Sequence, residues 1–167
     1  FIGEEKNPGG ASLLIKEGIL ENPRPHAILG LHVNPQLDVG KFSFLAGMAM
    51  ASADELYFTV KSKGGHAAAP QWAPDTILAA SQLVLSLQQI VSRKNDPFNP
   101  TVISITSIQG GNTTNVIPSE VKLMGTFRAM DEEWRTKVHQ LIKNTAEHTA
   151  QISGTEIDCH IDLGYPC

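Results

Sequence analysis

The sequence predicts an α+β domain, in which helices cover one face of an antiparallel sheet, and two observations support this prediction. First, residues 54–162 contain six patterned segments in the order β-α-β-β-α-β. Second, four of these segments have the alternation or the β-branched content of strands, and two repeat apolar residues at helical spacing. This order is the ferredoxin-like arrangement, a four-stranded antiparallel sheet with two helices on one face.

Each predicted strand has its own signal. Residues 56–60 are aromatic and β-branched, and residues 102–108 form an apolar run between Pro100 and a Gly-Gly pair. Residues 120–128 begin with polar–apolar alternation, and residues 156–162 alternate throughout, as a strand buried on one face does. We expect the strand order 4-1-3-2, with residues 102–108 on an edge that can attract a partner.

Both predicted helices have a period and a boundary signal. The first covers residues 76–92, where apolar residues recur at helical spacing. The second follows Asp131, which can cap its first turn, and ends at Gly154. Its apolar stripe comprises Trp134, Val138, Leu141, Ile142 and, less strongly, Thr149 and Ile152.

The sequence pattern of the first 48 residues differs from that of the α+β domain. A short helix is expected over residues 11–17, closed by Gly18. The nearly continuous apolar run over residues 27–33 is typical of a strand buried on both faces of an α/β sheet. Residues 41–45 indicate another short strand.

Composition disfavours several classes of protein. The 167 residues carry 13 basic and 17 acidic side chains, a net charge of −4, without the basic cluster of a nucleic-acid-binding protein. No apolar run approaches the ~20 residues of a membrane span. Two cysteines without framework spacing favour a reducing compartment, and hence the cytoplasm. The start Phe1-Ile2-Gly3 is no signal peptide, and we expect a piece of a longer protein.

Two features of the first segment could serve a metal site. Glu4 and Glu5 are adjacent carboxylates, so one could ligate a metal while the other activates bound water. A solvated acidic turn explains the same pair. His32 ends the buried-strand pattern, where open α/β sheets place ligands, but a hydrogen-bonded core histidine fits equally well.

Three further candidates lie at connections of the predicted domain. His66 follows two glycines, on a turn that either displays a reactive imidazole or is a plain surface loop. Asn115 lies in a polar loop whose amides could bind a ligand or hold their own backbone. Arg128 could hold a carboxylate bidentately, or pair with Asp131 on the surface, which its spacing favours slightly.

The remaining histidines and one cysteine show no pattern that points to chemistry. Cys159 shares the apolar face of its strand, so we expect a small core residue there. We expect surface positions for the other histidines, which are His26, His139, His148 and His160.

Several short motifs, taken in order, resemble one enzyme family. They are Glu4-Glu5 with Pro8-Gly9-Gly10-Ala11, Gly30-Leu31-His32-Val33, Lys63-Gly64-Gly65-His66-Ala67-Ala68 with Pro70, Asn115-Val116-Ile117-Pro118 and Gly125-Thr126-Phe127-Arg128. The succession is similar to the di-metal amidohydrolases of the aminoacylase, hippurate hydrolase and IAA-amino-acid hydrolase group. That group is related to zinc carboxypeptidases with an inserted lid domain.

The resemblance implies a domain division and a reaction. Residues 1–48 would be a partial catalytic, metal-binding α/β segment, residues 49–162 a lid that also forms a homodimer, and residues 163–167 the return to the catalytic domain. The reaction would hydrolyse the amide of an N-acyl amino acid or a small peptide. Two divalent ions, zinc or alternatively manganese or cobalt, would generate hydroxide and polarise the carbonyl.

The resemblance also implies roles in the first segment. Glu4 would be the general base, and Glu5 and His32 would be metal ligands. The other ligands of the family would lie before residue 1 and after residue 167. Because two ligands cannot hold two metals, we expect the chain by itself to bind no catalytic metal tightly and to be inactive.

In the lid, the implied roles concern the substrate. His66 would stabilise the oxyanion in the active site of the partner subunit, and Asn115 would bind substrate there. Arg128 would hold the substrate carboxylate. Two departures from the family pattern, Phe1-Ile2-Gly3 in place of Gln-Pro-Ala and Gln71 in place of a second histidine, leave the substrate open.

The alternative is a ferredoxin-like module that dimerises or binds a small ligand without catalysis. It explains residues 54–162 but not Glu4, Glu5 and His32. A nucleic-acid-binding domain of the same fold is disfavoured by the acidic net charge.

Overall fold

The computed structural model describes residues 10–167, so Glu4 and Glu5 lie outside the described residues. The strands are β1 (Asp54–Lys61), β2 (Gly65–His66), β3 (Thr101–Gln109), β4 (Val116–Ile117), β5 (Glu120–Ala129) and β6 (Glu156–Leu163). The helices are α1 (Gly10–Lys16), α2 (Thr76–Gln89) and α3 (Glu132–Ser153), with a 3-10 turn at Pro70–Trp72 and a π-turn at Ile90–Lys94.

A four-stranded antiparallel sheet with the order β3-β5-β1-β6 organises the domain. The four predicted strands, numbered 1 to 4, correspond to β1, β3, β5 and β6. Read from β6, the observed order is therefore the expected 4-1-3-2, so the predicted topology and the edge position of β3 are confirmed. β1 is central and pairs with β5 and β6 along its whole length. A second, two-stranded sheet of β2 and β4 was not expected from the sequence.

Strand alternation places the core between the sheet and the two long helices. In β1, Leu56, Phe58 and Val60 are almost fully buried, while the residues between them face the opposite side. The helices contribute fully buried side chains, which include Leu83, Leu87, Val138 and Ile142. Each such side chain stabilises the fold by ~1.5–3 kcal/mol. The predicted α+β class is confirmed, and Cys159 packs against this core.

Side-chain caps fix the starts of both long helices. Asp131 accepts a hydrogen bond from the Trp134 amide at 2.6 Å, and Gly154 ends α3 with a φ of +68°, as predicted. Asp75 caps α2 by accepting from two backbone amides of its first turn, at 2.9 and 3.0 Å. None of the helices in residues 10–167 is long and apolar enough to cross a membrane.

The strands predicted over residues 27–33 and 41–45 are wrong. Neither range forms a strand, and Leu29, Leu31 and Val33 are 89–98% exposed. A strand buried on both faces needs neighbouring strands, and no described residue pairs with these ranges. The helix predicted over residues 11–17 is present as α1, without a buried residue.

Ile142→Ala should lower the free energy of unfolding by about 2–5 kcal/mol, because it leaves a cavity in a fully buried site. Ile152 lies on the same helix but is 75% exposed, so Ile152→Ala should change it by less than about 0.5 kcal/mol. Urea unfolding measures both variants. Equal losses would contradict the buried face assigned to α3.

Candidate functional site

The small β2–β4 sheet brings two candidate residues together. His66 pairs with Val116, and the amide of Ala67 donates to the carbonyl oxygen of Asn115 at 2.9 Å. The side chains of His66 and Asn115 are both exposed. We call this part of the molecule, residues 62–69 and 112–119, the tip.

A glycine and a buried hydroxyl fix the shape of the tip. Gly64 has a φ of +65°, and a Cβ atom there would lie 2.9 Å from the carbonyl oxygen of Ile117. A side chain at this position would therefore be strained as well as crowded. The buried hydroxyl of Thr76 donates to the carbonyl oxygen of Pro118 at 2.7 Å, which ties the tip to the start of α2.

The imidazole of His66 has a defined tautomer. Its Nδ1 accepts a hydrogen bond from the amide of Ala68 at 3.1 Å. In the neutral ring the proton is therefore on Nε2. The Nε2–H group is an outward donor, the kind of group that stabilises developing negative charge on a substrate oxygen.

Arg128 lies at the opposite end of the main sheet, on the face without helices. β1 separates it from the tip, and eight residues at about 3.3 Å each put the two ends roughly 25 Å apart. Its guanidinium reaches the carbonyl oxygen of Ser52 at 3.5 Å. The alternative pair with Asp131 does not form, since that carboxylate caps α3.

Arg128 lines an open cleft of about 580 Å³. Within residues 10–167 the arginine takes part in no ion pair. Its guanidinium is thus available to a ligand. Other residues that line the cleft are Ala53, Glu55, Tyr57, Met124, Thr126, Asp162 and Tyr165.

A buried ionic cluster lies at the same end of the sheet. The fully buried carboxylate of Asp54 accepts hydrogen bonds from Nε and Nη2 of Arg135 at 2.8 and 2.5 Å. It also binds Nε2 of His139 at 2.8 Å and the amide of Gly164 at 3.1 Å. Arg135 extends the cluster to Glu132, at 2.5 Å. We call these five residues the root cluster, because they join the first residue of β1 to α3 and to the chain that leaves β6.

Asp54 and Arg135 of the root cluster are both charged at neutral pH. Burial by itself would raise the pKa of Asp54, but hydrogen bonds from Arg135, His139 and Gly164 outweigh it and lower the pKa to about 2. The hydrogen bond to Asp54 likewise raises the pKa of Arg135. Neither group can exchange a proton near pH 7, so their role is to hold the fold.

The surface position expected for His139 is wrong, while His26, His148 and His160 are exposed as predicted. The His139 side chain is 18% exposed and binds Asp54. A signal for the cluster was present, because Arg135 lies in helical phase with the apolar stripe of α3. A buried charge needs a counter-charge, but the sequence did not indicate which carboxylate supplies it.

The expected metal ligands are not brought together within residues 10–167. His32 is exposed, on a segment that contains no strand, and Glu5 lies outside this range. In the part of the chain that the structure describes, no three His, Cys, Asp or Glu side chains are grouped so that they could hold a metal ion.

Comparison with known proteins assigns the domain. A peptidase dimerisation domain of the M20 type matches residues 51–153. The chain belongs to the M20 peptidase family. The M20 dimerisation domain thus covers β1 to α3, and includes the tip, Arg128 and the helical part of the root cluster.

Curated relatives extend the match beyond the M20 dimerisation domain. The N-acetyldiaminopimelate deacetylase of Priestia megaterium is 36% identical over 169 residues, which cover 100% of this chain and 44% of the relative. IAA-amino acid hydrolase ILR1-like 5 of Arabidopsis thaliana is 40% identical over 150 residues, which cover 87% of this chain and 34% of the relative. The chain therefore spans less than half the length of either relative.

Solved structures agree with the fold. A crystal structure from methicillin-resistant Staphylococcus aureus has a TM-score of 0.86 at 30% identity, and the match covers 98% of this chain and 43% of that one. The Bacillus subtilis YXEP protein has a TM-score of 0.69 at 30% identity, and the match covers 99% of this chain and 40% of that one. It is described as a dinuclear metal binding peptidase from the M20 family.

Asp54→Asn should lower the free energy of unfolding at pH 7 by about 3–5 kcal/mol, because Arg135 would lose its buried counter-charge. Asp158→Asn is the matched control. Asp158 pairs with Lys61 at 2.6 Å on the surface, and its loss should cost less than about 1 kcal/mol. Urea unfolding measures the free energy of unfolding of both variants. Equal losses would contradict the structural role of the root cluster.

The same carboxylate should make the stability depend on acid pH. The pKa of Asp54 falls from 3.8 to about 2 on folding, so its contribution is fully present above about pH 4 and is lost as the pH falls toward 2. Between pH 5 and 2 the wild-type chain should lose about 2 kcal/mol more stability than Asp54→Asn. Unfolding curves at stepped pH measure this difference, and parallel profiles would contradict it.

Proposed function

We propose that the full-length protein is a metal-dependent amidohydrolase that cleaves the amide of N-acyl amino acids or small peptides. Membership of the M20 family supports this proposal. The names of two relatives support it further, since they describe deacetylation of N-acetyldiaminopimelate and hydrolysis of IAA-amino acids. The motif order that includes His66 and Arg128 supplies the third argument.

The separation between His66 and Arg128 is the observation that carries the mechanism. The two side chains lie at opposite ends of β1, roughly 25 Å apart. A small N-acyl amino acid cannot touch both side chains of one subunit. We infer that each active site takes Arg128 from one subunit of a dimer and His66, with Asn115 beside it, from the other.

Each residue then has a defined task. Arg128, which has no ion pair among the described residues, binds the substrate carboxylate bidentately. His66 donates its Nε2–H to the oxyanion that forms at the scissile carbonyl. Asn115 orients the substrate at the same point, and Glu4 acts as the general base.

The proposal includes two divalent ions in the full-length enzyme, zinc being favoured over manganese and cobalt. The relative described as a dinuclear metal binding peptidase supports the number of ions. When bound, they would supply an activated hydroxide and polarise the carbonyl. Glu5 and His32 are the proposed ligands from this chain. The described residues alone do not fit a two-metal site, because no three potential ligands are grouped among them.

We propose that the dimer forms through β3 and the outer face of α2. Among the described strands β3 pairs only with β5, so its other edge offers free backbone groups. Leu78 and Leu85 project from the same outer face of α2 and are 65% and 71% exposed.

The remaining proposals concern organisation and location. We propose that residues 1–48 belong to the catalytic domain, residues 49–162 form the lid, and residues 163–167 return to the catalytic domain. Cys159 and Cys167 are both free thiols, which fits the proposed cytoplasmic location.

Mixed dimers test the shared active site. Glu4→Ala and His66→Ala should each abolish hydrolysis of an N-acyl amino acid by the full-length protein. When the two inactive proteins are mixed and allowed to exchange subunits, about a quarter of the wild-type activity should return, since half of the dimers then contain one intact site. No recovery, with exchange verified by mass spectrometry, would mean that His66 serves its own subunit.

Charge substitutions test the dimer surface. Leu78→Glu combined with Leu85→Glu should convert the dimer into a monomer in sedimentation velocity, because two carboxylates would be desolvated at the interface. Ile152→Glu is the control, on a residue of α3 that is 75% exposed. An unchanged dimer in the double variant would place the interface elsewhere.

A further inference from the structure

The cleft beside Arg128 carries more charge than the binding of a single carboxylate requires. Glu55 and Asp162 also line it. Glu55 lies directly opposite Asp162 on β6, and on its other side opposite Thr126 on β5. All these side chains belong to the helix-free face, since the residues that alternate with them in β1 and β5 are buried.

Strand register fixes the spacing of these charges. Side chains that are directly opposite lie about 5 Å apart at Cβ, so Glu55 and Asp162 form a carboxylate pair. Arg128 is two residues beyond Thr126 and is therefore a diagonal neighbour of Glu55, about 7–8 Å away between Cα atoms. Across the sheet, the cation Arg128 on β5 is followed by the anions Glu55 on β1 and Asp162 on β6.

The two carboxylates have no lysine or arginine partner within the described residues. Glu55 accepts a hydrogen bond from the hydroxyl of Tyr57 at 2.5 Å, and Asp162 binds the ring of His160. The bond to Glu55, then burial and the charges of both carboxylates, raise the pKa of Tyr57. Because like charges directly opposite each other destabilise a sheet, a cation bound between them would stabilise it.

The surface between the charges is partly apolar. Met124 and Tyr165 line the cleft and are 42% and 49% exposed. Ala53 lies beside Tyr165 at the Arg128 end, whereas Met124 lies opposite Tyr57, on the far side of Glu55. Asp54 also lines the cleft but is neutralised by Arg135. A chain of methylene groups can therefore lie across the cleft between Arg128 and the carboxylate pair.

We propose that this cleft selects N-acyl amino acids whose amino acid carries a cationic side chain of the lysine or ornithine type. The inference rests on the proposed function, which places the substrate carboxylate on Arg128. The side-chain ammonium then lies between Glu55 and Asp162, and its methylene groups lie along Ala53 and Tyr165 at the Arg128 end of the cleft. An anionic side chain would meet two carboxylates and bind poorly.

Three substrates of similar size test this specificity in the full-length enzyme: Nα-acetyl-L-lysine, Nα-acetyl-L-norleucine and Nα-acetyl-L-glutamate. We expect kcat/KM for the lysine substrate to exceed that for norleucine by about tenfold, because charge-assisted hydrogen bonds are stronger than neutral contacts. Combining Glu55→Gln with Asp162→Asn should bring this ratio close to one. Calorimetry with the Glu4→Ala variant should give the same ratio in Kd, which makes binding measurable without turnover.

Two further variants serve as controls. Asp158 lies on the same strand and face as Asp162, at the other end of β6, so Asp158→Asn should keep the wild-type ratio. Glu55→Lys should shift the preference toward the glutamate substrate, which separates a change of charge from a loss of fold.

The possible outcomes separate the two proposals. Hydrolysis of the lysine and norleucine substrates with equal kcat/KM would overturn the specificity and leave the proposed activity standing. Tenfold tighter binding of the lysine compound, without hydrolysis of any of the three, would overturn the activity and support the cleft.

Discussion

The domain depends on one interaction, the buried pairing of Asp54 with Arg135. It joins the first residue of the central strand to α3, and through Gly164 it holds the chain that leaves β6. Burying two charges is costly, and their attraction offsets that cost only when the hydrogen bonding is complete. Here it is complete: among the described residues no buried side-chain nitrogen or oxygen lacks a partner. The pair thereby fixes at one end of the sheet both points where the chain enters and leaves the domain.

With both connections at the root, the sheet acts as a rigid spacer. β1 pairs on both sides along all eight residues, so the tip is held at a constant distance from the root cluster. Gly64 and Thr76 fix the tip itself through backbone geometry and a buried hydrogen bond. Candidate binding groups at two ends of one rigid element suit the proposed enzyme, in which each active site would be shared between subunits.

Features that depend on neighbours in the sequence were predictable, and so was the strand order, because the β-α-β-β-α-β succession specifies it. Contacts between individual side chains far apart in the sequence were not predictable. Alternation and helical period indicated the strands and helices, and Asp131 and Gly154 marked the ends of α3, because capping is local. Asp54 and Arg135 are 81 residues apart, and no local rule pairs them. The run at residues 27–33 failed for a related reason, since an apolar segment forms a strand only beside another strand. Motif resemblance identified His66 and Arg128 as candidates, but only the strand register shows that they lie at opposite ends of the sheet.

A crystal structure of the full-length protein with a non-hydrolysable N-acyl amino acid analogue would test whether two subunits share each active site. We expect Nε2 of His66 from one subunit and the guanidinium of Arg128 from the other to lie within hydrogen-bond distance of the same ligand. A ligand that touches His66 and Arg128 of a single subunit would contradict it. So would a dimer in which each tip points away from the other subunit's cleft.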